Sequence, residues 1–273
     1  MSVESNLGGG GTQYVLTGTL AQMNALTGST GNLFYNTTYN SWFTWVNNRW
    51  WPYGNPDPRY GYVLTDEFIS TAALSQLDWN ASSSGALGAF GTYKGVFYVE
   101  QSAASATAYL MSYTAGTAFG LMDVYAEALV QIPTLATAGE DFACMFGFND
   151  KITFDANCAC TDGAYFTLNR AVNTNKWITN TASNTTTTST NSNTTVTAGT
   201  WYRLGILVSQ TNGNVVFSVN GTTIATHTTN IPSGAARSTG VGFKLDKTAG
   251  VAASDLYVDY FAEYAFFTTA RAS

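Results

Sequence analysis

Residues 201–232 read WYRLGILVSQTNGNVVFSVNGTTIATHTTNIP, and their alternation decides the fold. Leu204, Ile206 and Val208 alternate with Arg203, Gly205 and Ser209, the period of a strand with one buried face. Thr211-Asn212-Gly213-Asn214 then turns the chain, with Asn-Gly supplying positive φ angles. Val215, Phe217 and Val219 form the next buried face, and Asn220-Gly221 reverses the chain before Ile224. Three short antiparallel strands in one meander imply a sheet packed on another sheet.

Working outward, the pattern repeats. In VYAEALVQIPTL (124–135) the apolar set Val124, Ala126, Ala128 and Val130 should face a core. ACMFGFND (143–150), AYFTLNR (164–170), GVGFKLD (240–246) and DLYVDYFAEYAFF (255–267) continue the series. Helix signals are weak, apart from one short turn expected around Leu20–Leu26. Strands at near-regular spacing joined by Gly/Asn turns predict an all-β sandwich or jelly roll.

Hydrophobic residues make up 45% of the 273-residue chain and charged residues only 10%, well under the roughly 25% usual in soluble proteins. Thr, Ser, Asn and Gly must therefore cover the surface, as suits a protein in contact with other subunits or one outside a cell. A net charge of −6 with no basic stripe argues against nucleic acid as a partner. No apolar run approaches a membrane span, and the start of the chain lacks a classical signal peptide, so synthesis in the cytoplasm is expected. The Asn-X-Ser/Thr patterns at Asn36, Asn80, Asn184, Asn193 and Asn220 are then chance matches.

Residues 1–12 are Gly-rich and expected to form a flexible arm. Residues 13–61 contain a β-hairpin, GNLFYNTTYNSWFTWVNNRWW, followed by the Pro-rich segment WPYGNPDPR (51–59), the best boundary. The sandwich is assigned to 62–273. Four tryptophans in one hairpin are more apolar area than a small hairpin buries alone. Phe34, Tyr35, Trp42, Trp45, Trp50 and Trp51 are accordingly the expected attachment residues.

Chemistry is harder to find. Glycoside hydrolysis uses two carboxylates, naturally supplied by acids two apart on one strand. No two acids in this chain stand two apart. Asp255, Asp259 and Glu263 share a face at steps of about 13 Å, and a Ser-His-Asp triad would need His227, which sits in an exposed-looking Thr-rich strand. The expectation is no enzyme activity and no cofactor. Asn149, Asp150, Asp155 and Asp162 crowd one region as weak calcium candidates. Cys144, Cys158 and Cys160 are expected to be reduced thiols, with Cys158-Ala-Cys160 lacking the second pair a metal would need. Tyr165, Trp177 and Tyr202 are candidates for stacking on a sugar, with core packing the competing role.

Two stretches resemble known families. GTLAQMNALTG…GNLFYNTTYNSWFTWVNNRWW is similar to a module near the N-termini of tailed-phage fibre and head-surface proteins. Residues 62–267 resemble the concanavalin A-like lectin/glucanase sandwich of phage structural proteins. The matching landmarks are DEFIS (66–70), LDWNASSSG (77–85), YAEALVQIP (125–133), FGFND (146–150), GAYF (163–166), TWYRLGILV (200–208), FSVNGTTIATHTTNIP (217–232) and LYVDYFAEYAFF (256–267). Glucanases of that family carry Glu-X-Asp-X-X-Glu or Glu-X-Asp-X-Glu on one strand, and this chain has neither. The resemblance implies a concanavalin A-like jelly-roll β-sandwich with a small N-terminal hairpin anchoring module, on a virion surface, capsid or fibre. Its partners would be the major capsid protein or other fibre subunits and copies of itself, a trimer being one arrangement. Recognition of a host-surface glycan is the alternative reading.

Overall fold

A computed structural model describes residues 3–4, 15–19, 22–23, 25–26, 32–37, 41–46, 49–52, 61–66, 79–81, 86–89, 95–112, 117–210, 212–233 and 238–267. The chain divides into two compact units, Met1–Val63 with Tyr264–Ser273, and Leu64–Glu263. The first unit takes in Tyr264–Ser273, residues that the sequence reading assigns to the 62–273 sandwich.

The first unit is built on a five-stranded sheet, not a lone hairpin. Its strands run in order β1 (Val3–Glu4), β2 (Val15–Gly18), β3 (Leu33–Asn36), β4 (Ser41–Val46) and β5 (Arg49–Pro52). Val3–Glu4 pairs with β2, so that part of the expected 1–12 arm is a strand; the rest of the arm and most of the Pro-rich segment lie outside the described residues. β2 and β3 are parallel, which requires a crossover. That crossover carries one helical turn, in which the Met23 N–H donates to the Thr19 carbonyl at 2.9 Å. Thr19 and Gln22 cap it reciprocally: the Thr19 N–H donates to Gln22 Oε1 at 2.9 Å and the Gln22 N–H to Thr19 Oγ1 at 3.4 Å, satisfying two donors the turn leaves open. Met23, Phe34, Phe43 and Phe266 form the unit's core, with Leu16, Leu26, Trp50 and Tyr264 against it.

The other strands are β6 (Gly61–Asp66), β7 (Trp79–Ala81), β8 (Ala86–Ala89), β9 (Phe97–Gln101), β10 (Ala106–Ser112), β11 (Thr117–Ala118), β12 (Met122–Gln131) and β13 (Phe142–Asn149). They continue with β14 (Gly163–Asn169), β15 (Lys176–Ser183), β16 (Thr186–Thr195), β17 (Trp201–Ser209), β18 (Asn214–Val219), β19 (Thr222–His227), β20 (Ser238–Lys247) and β21 (Ser254–Phe267). They form two eight-stranded sheets. One has the order β16-β15-β14-β13-β20-β10-β7 with β11 on β20, and the other β19-β18-β17-β12-β21-β9-β8 with β6 on β21. The meander read from residues 201–232 is β17-β18-β19, paired in register from Leu204↔Val219 to Val215↔His227.

Aromatic rings fill the space between the sheets. Phe166 meets Phe217 edge-on at 5.3 Å, and Phe243 meets Phe261 at 6.2 Å. Val124, Ala126, Ala128 and Val130 are buried, as their alternation requires. A Cβ at Gly147 would come within 2.7 Å of Ile206 Cδ1 from the opposite sheet, and its φ of +141° is a conformation that favours glycine.

The first sheet is buried on its outer face as well. Cys158 and Cys160, from the segment 150–162, pack there on Ala143, Met145, Tyr165 and Ala182. Lys244 and Asp246 lie under the same cover, fully buried, with Lys244 Nζ 2.8 Å from Asp246 Oδ2. Asp246 is in hydrogen-bonding contact with the Cys158 thiol of the covering segment. Asp246 Oδ2 also accepts the Asp155 N–H at 3.2 Å, tying the covering segment to β20.

His227 is a correction to the sequence reading. It is buried, not exposed, and joins the edges of the two sheets. Its Nδ1 lies 3.0 Å from Thr181 Oγ1, and its Nε2 lies 3.2 Å from Thr179 Oγ1 and 3.1 Å from Thr190 Oγ1. No acid faces the ring among these partners, so it is no triad base. Burial holds its pKa below the usual 6.5. A depressed folded-state value means that stability is present above pH 6.5 and is lost as pH falls through the folded-state pKa. Thermal melts from pH 8 to 5 should therefore show a fall in Tm below pH 6.5 that His227→Gln removes. His227→Ala should cost roughly 1–3 kcal/mol for each hydroxyl it orphans, read from urea midpoints.

Candidate functional site

The outer face of the second sheet carries chemistry that the search along single strands missed. β9 and β21 are antiparallel with Tyr98 opposite Tyr257 and Glu100 opposite Asp255. Burial alternates along both strands, so these four half-buried side chains share the face turned away from the aromatic core, with Asp259 next along β21. Tyr-X-Glu at 98–100 and Asp-X-Tyr at 255–257 run in opposite order, which is what antiparallel pairing needs to bring like against like. That reversed spacing was the available signal; a search for acids two apart on one strand passes over it.

Asp255 is driven up to about 6 by burial, by the Glu100 charge and by a hydrogen bond to Glu100. Burial and the neighbouring carboxylate make the charged form of Asp255 costly, so it keeps its proton to a higher pH than a free aspartate does. Tyr257 is raised by burial and then by Asp255, Glu100 and Tyr98. On β12, the neighbour of β21 on its other side, Tyr125 Oη donates to Glu127 Oε2 at 2.6 Å, with Arg203 Nε 3.8 Å from the same oxygen. Gly205 makes room for that tyrosine: a Cβ there would lie 2.5 Å from Tyr125 Oη. The face is thus acidic and aromatic. The Glu100–Asp255 pair is in hydrogen-bonding contact, closer than the roughly 5–5.5 Å a retaining glycosidase uses.

The sequence-derived candidates fare differently. Trp177 and Tyr202 meet edge-on at 6.0 Å inside the sandwich, and Tyr165 lies beneath the 150–162 segment. All three are buried, so none can stack on a sugar from solvent. The calcium candidates are spent on the protein itself. Asn149 Oδ1 accepts the Lys151 N–H, Asp150 Oδ1 the Thr161 N–H, and Asp162 Oδ1 the Asn184 N–H. Asp155 pairs with Lys151 at 2.8 Å and accepts the Asn157 and Ala159 N–H groups. No group of three metal-ligating side chains converges among the described residues. Cys144, Cys158 and Cys160 are free and buried; burial pushes the Cys144 thiol up to about 12 and raises the other two as well.

The attachment candidates split between two faces. Phe34 and Trp45 are buried and contact Trp50 at 5.6 and 5.1 Å, so they belong to the unit's own interior. Tyr35 and Trp42 pair on the opposite face at 5.0 Å, with Trp42 40% exposed. Trp51 is paired in register with Thr44.

The architecture is that of the concanavalin A-like lectin/glucanase jelly rolls. Residues 80–259 match the family described as SO2946-like, C-terminal domain, and the chain belongs to that family. Among solved structures it is similar to the protein of unknown function SO2946 from Shewanella oneidensis MR-1, with a TM-score of 0.56 at 14% identity over 78% of this chain and 90% of that one. An endo-1,3-β-glucanase from Streptomyces sioyaensis gives 0.51 at 16% identity, covering 78% of this chain and 99% of its own. The carbohydrate recognition domain of Emp47p gives 0.51 at 11%, covering 76% and 97%. At such identities the likeness speaks for the fold alone. No curated protein sequence matches the chain.

The raised Asp255 pKa has a stability consequence. The group holds its proton to about pH 6 when folded against 3.8 ordinarily, so its contribution is fully present below pH 3.8 and is lost as pH rises through 6. Asp255→Asn should raise Tm at pH 7 and leave it unchanged at pH 3.5, measured by scanning calorimetry. An equal Tm at pH 7 would show that the two carboxyls do not repel.

Proposed function

We propose that this is a non-enzymatic surface protein of a tailed-phage virion, on the capsid or a fibre, whose first unit attaches it and whose sandwich is displayed. The observation that carries this reading is the Tyr35–Trp42 pair, an aromatic pair on the face of the first sheet turned away from its core, with Trp42 40% exposed. An exposed indole on a rigid sheet is a common interface anchor. The low charge content supports it, since a surface of hydroxyls and amides suits close subunit contact. Synthesis in the host cytoplasm fits the three free thiols. In the full chain, Tyr35→Ala/Trp42→Ala should lower occupancy on particles, counted by cryo-EM, with no change in melting. Normal occupancy by the doubly substituted chain would sink the assignment.

A second reading, recognition of a host glycan, is favoured by the outer face of the second sheet. Tyr98 and Tyr257 offer ring faces, and Glu100 with Asp255 offers acceptors for sugar hydroxyls. A glycan array probed with the full chain should then show binding that Tyr257→Ala abolishes and no reducing-end release. Release lost in Asp255→Asn would make the face catalytic and overturn the non-enzymatic assignment.

A further inference from the structure

Charge is distributed very unevenly along this chain. Of its 11 basic and 17 acidic residues, one falls within residues 177–236, and that one, Arg203, lies beside Glu127. The stretch supplies nearly all of β15 and the whole of β16, β17, β18 and β19. β16 ends one sheet and β19 ends the other. Hydrogen bonds close the sandwich between them: His227 to Thr190, Thr188 Oγ1 to Thr229 Oγ1 at 2.7 Å, and Asn230 Nδ2 to Thr188 Oγ1 at 2.9 Å. The flank is therefore poor in charge: beside the Arg203–Glu127 pair, Lys176 stands opposite Thr195 at one end of β16 and Asp162 accepts the Asn184 N–H before the other.

β16 itself reads TTTSTNSNTT, ten residues without charge, proline or glycine, most of them exposed. Its register with β15 runs unbroken from Thr186 to Asn191 and shifts at a bulge beyond, so at about 3.4 Å per residue the regular edge is roughly 20 Å long. Edge strands are ordinarily shielded by charged side chains, proline, shortness or cover, because their open N–H and C=O groups template further pairing. The second half of β16 is partly covered: Asn173 Nδ2 donates to the Ser192 carbonyl and Tyr202 Oη to that of Thr195. Along Thr186–Asn191 no further strand pairs with β16 among the described residues, and of its carbonyls that of Thr190 accepts the Thr179 hydroxyl at 3.5 Å.

We infer that this edge is an interface with a second copy of the same chain, the two β16 strands pairing antiparallel about a two-fold axis. Two copies each carrying −6 repel wherever their charged surfaces meet. On this flank that repulsion is least, and a partner of opposite charge finds nothing there to read. Thr set against Thr across an antiparallel pair is favourable. An isologous contact of this kind closes at two subunits. The inference specifies the self-association put forward with the virion reading and does not depend on where the chain is attached.

Sedimentation equilibrium on the full chain from 1 to 200 µM tests it. The wild-type chain should form a dimer. Thr187→Lys/Asn191→Lys, which adds four positive charges at the seam of a dimer, should weaken dimerisation at least tenfold with an unchanged circular dichroism spectrum. Should that variant misfold, Asn191→Asp alone should weaken it in the same direction. Amide exchange along Thr186–Asn191 should slow with rising concentration in the wild-type chain only. A monomer at 200 µM, a trimer, or a lysine variant that dimerises normally would each overturn the interface.

Discussion

The ring layer between the two eight-stranded sheets is the constraint on which the rest of the sandwich depends. Phe166 against Phe217 and Phe243 against Phe261 fix the spacing of the sheets, and a side chain at Gly147 would meet the Ala164 carbonyl of the neighbouring strand at 2.5 Å and Ile206 of the facing sheet at 2.7 Å. With one face of every central strand committed to that layer, whatever is particular to this protein is written on the outer faces. The two are treated in opposite ways. The first sheet is covered by the 150–162 segment and buries even Lys244 and Asp246. The second leaves a row of tyrosines and carboxyls half open to water.

That difference bears on how polar groups are tolerated. Beneath the cover, Lys244 and Asp246 form a fully buried ion pair at 2.8 Å. Buried ion pairs of this kind add little net stability, because desolvation offsets the attraction; here the pair also receives the Asp155 N–H and so fixes where the cover lies. On the open face Asp255 sits against Glu100 instead of a cation, and burial with that neighbour holds its proton up to about pH 6.

Much of the fold was legible because period-two alternation is strong wherever one face is buried. The β17–β19 meander and the inward set on β12 were read residue by residue. The legibility failed where burial is two-sided. β13 and β14 are buried at every position, so alternation could not show that 150–162 covers them, and its acids read as metal ligands when they are in fact caps for backbone N–H groups. His227 looked exposed because its neighbours are threonines; those threonines are its hydrogen-bond partners. The Glu100–Asp255 pair escaped notice because the two residues are far apart in sequence, and strand order is set by the whole fold. The first unit's parallel β2–β3 pair was hidden for the same reason, although the Thr19–Gln22 cap was a local sign of the turn that makes it possible.

The cover over the first sheet has a practical side. Cys158 and Cys160 are its inward-facing residues, and Cys158 holds a positive φ of 54° that keeps its backbone in a conformation few residues adopt. Their thiols meet solvent only when the segment lifts, whereas Cys144 sits in β13 and stays shielded until the sheet itself comes apart. The three cysteines therefore form a built-in clock with two speeds. Labelling of the pair on 150–162 reports local opening of a surface layer, and labelling of Cys144 reports global unfolding, both from the native sequence without any added probe.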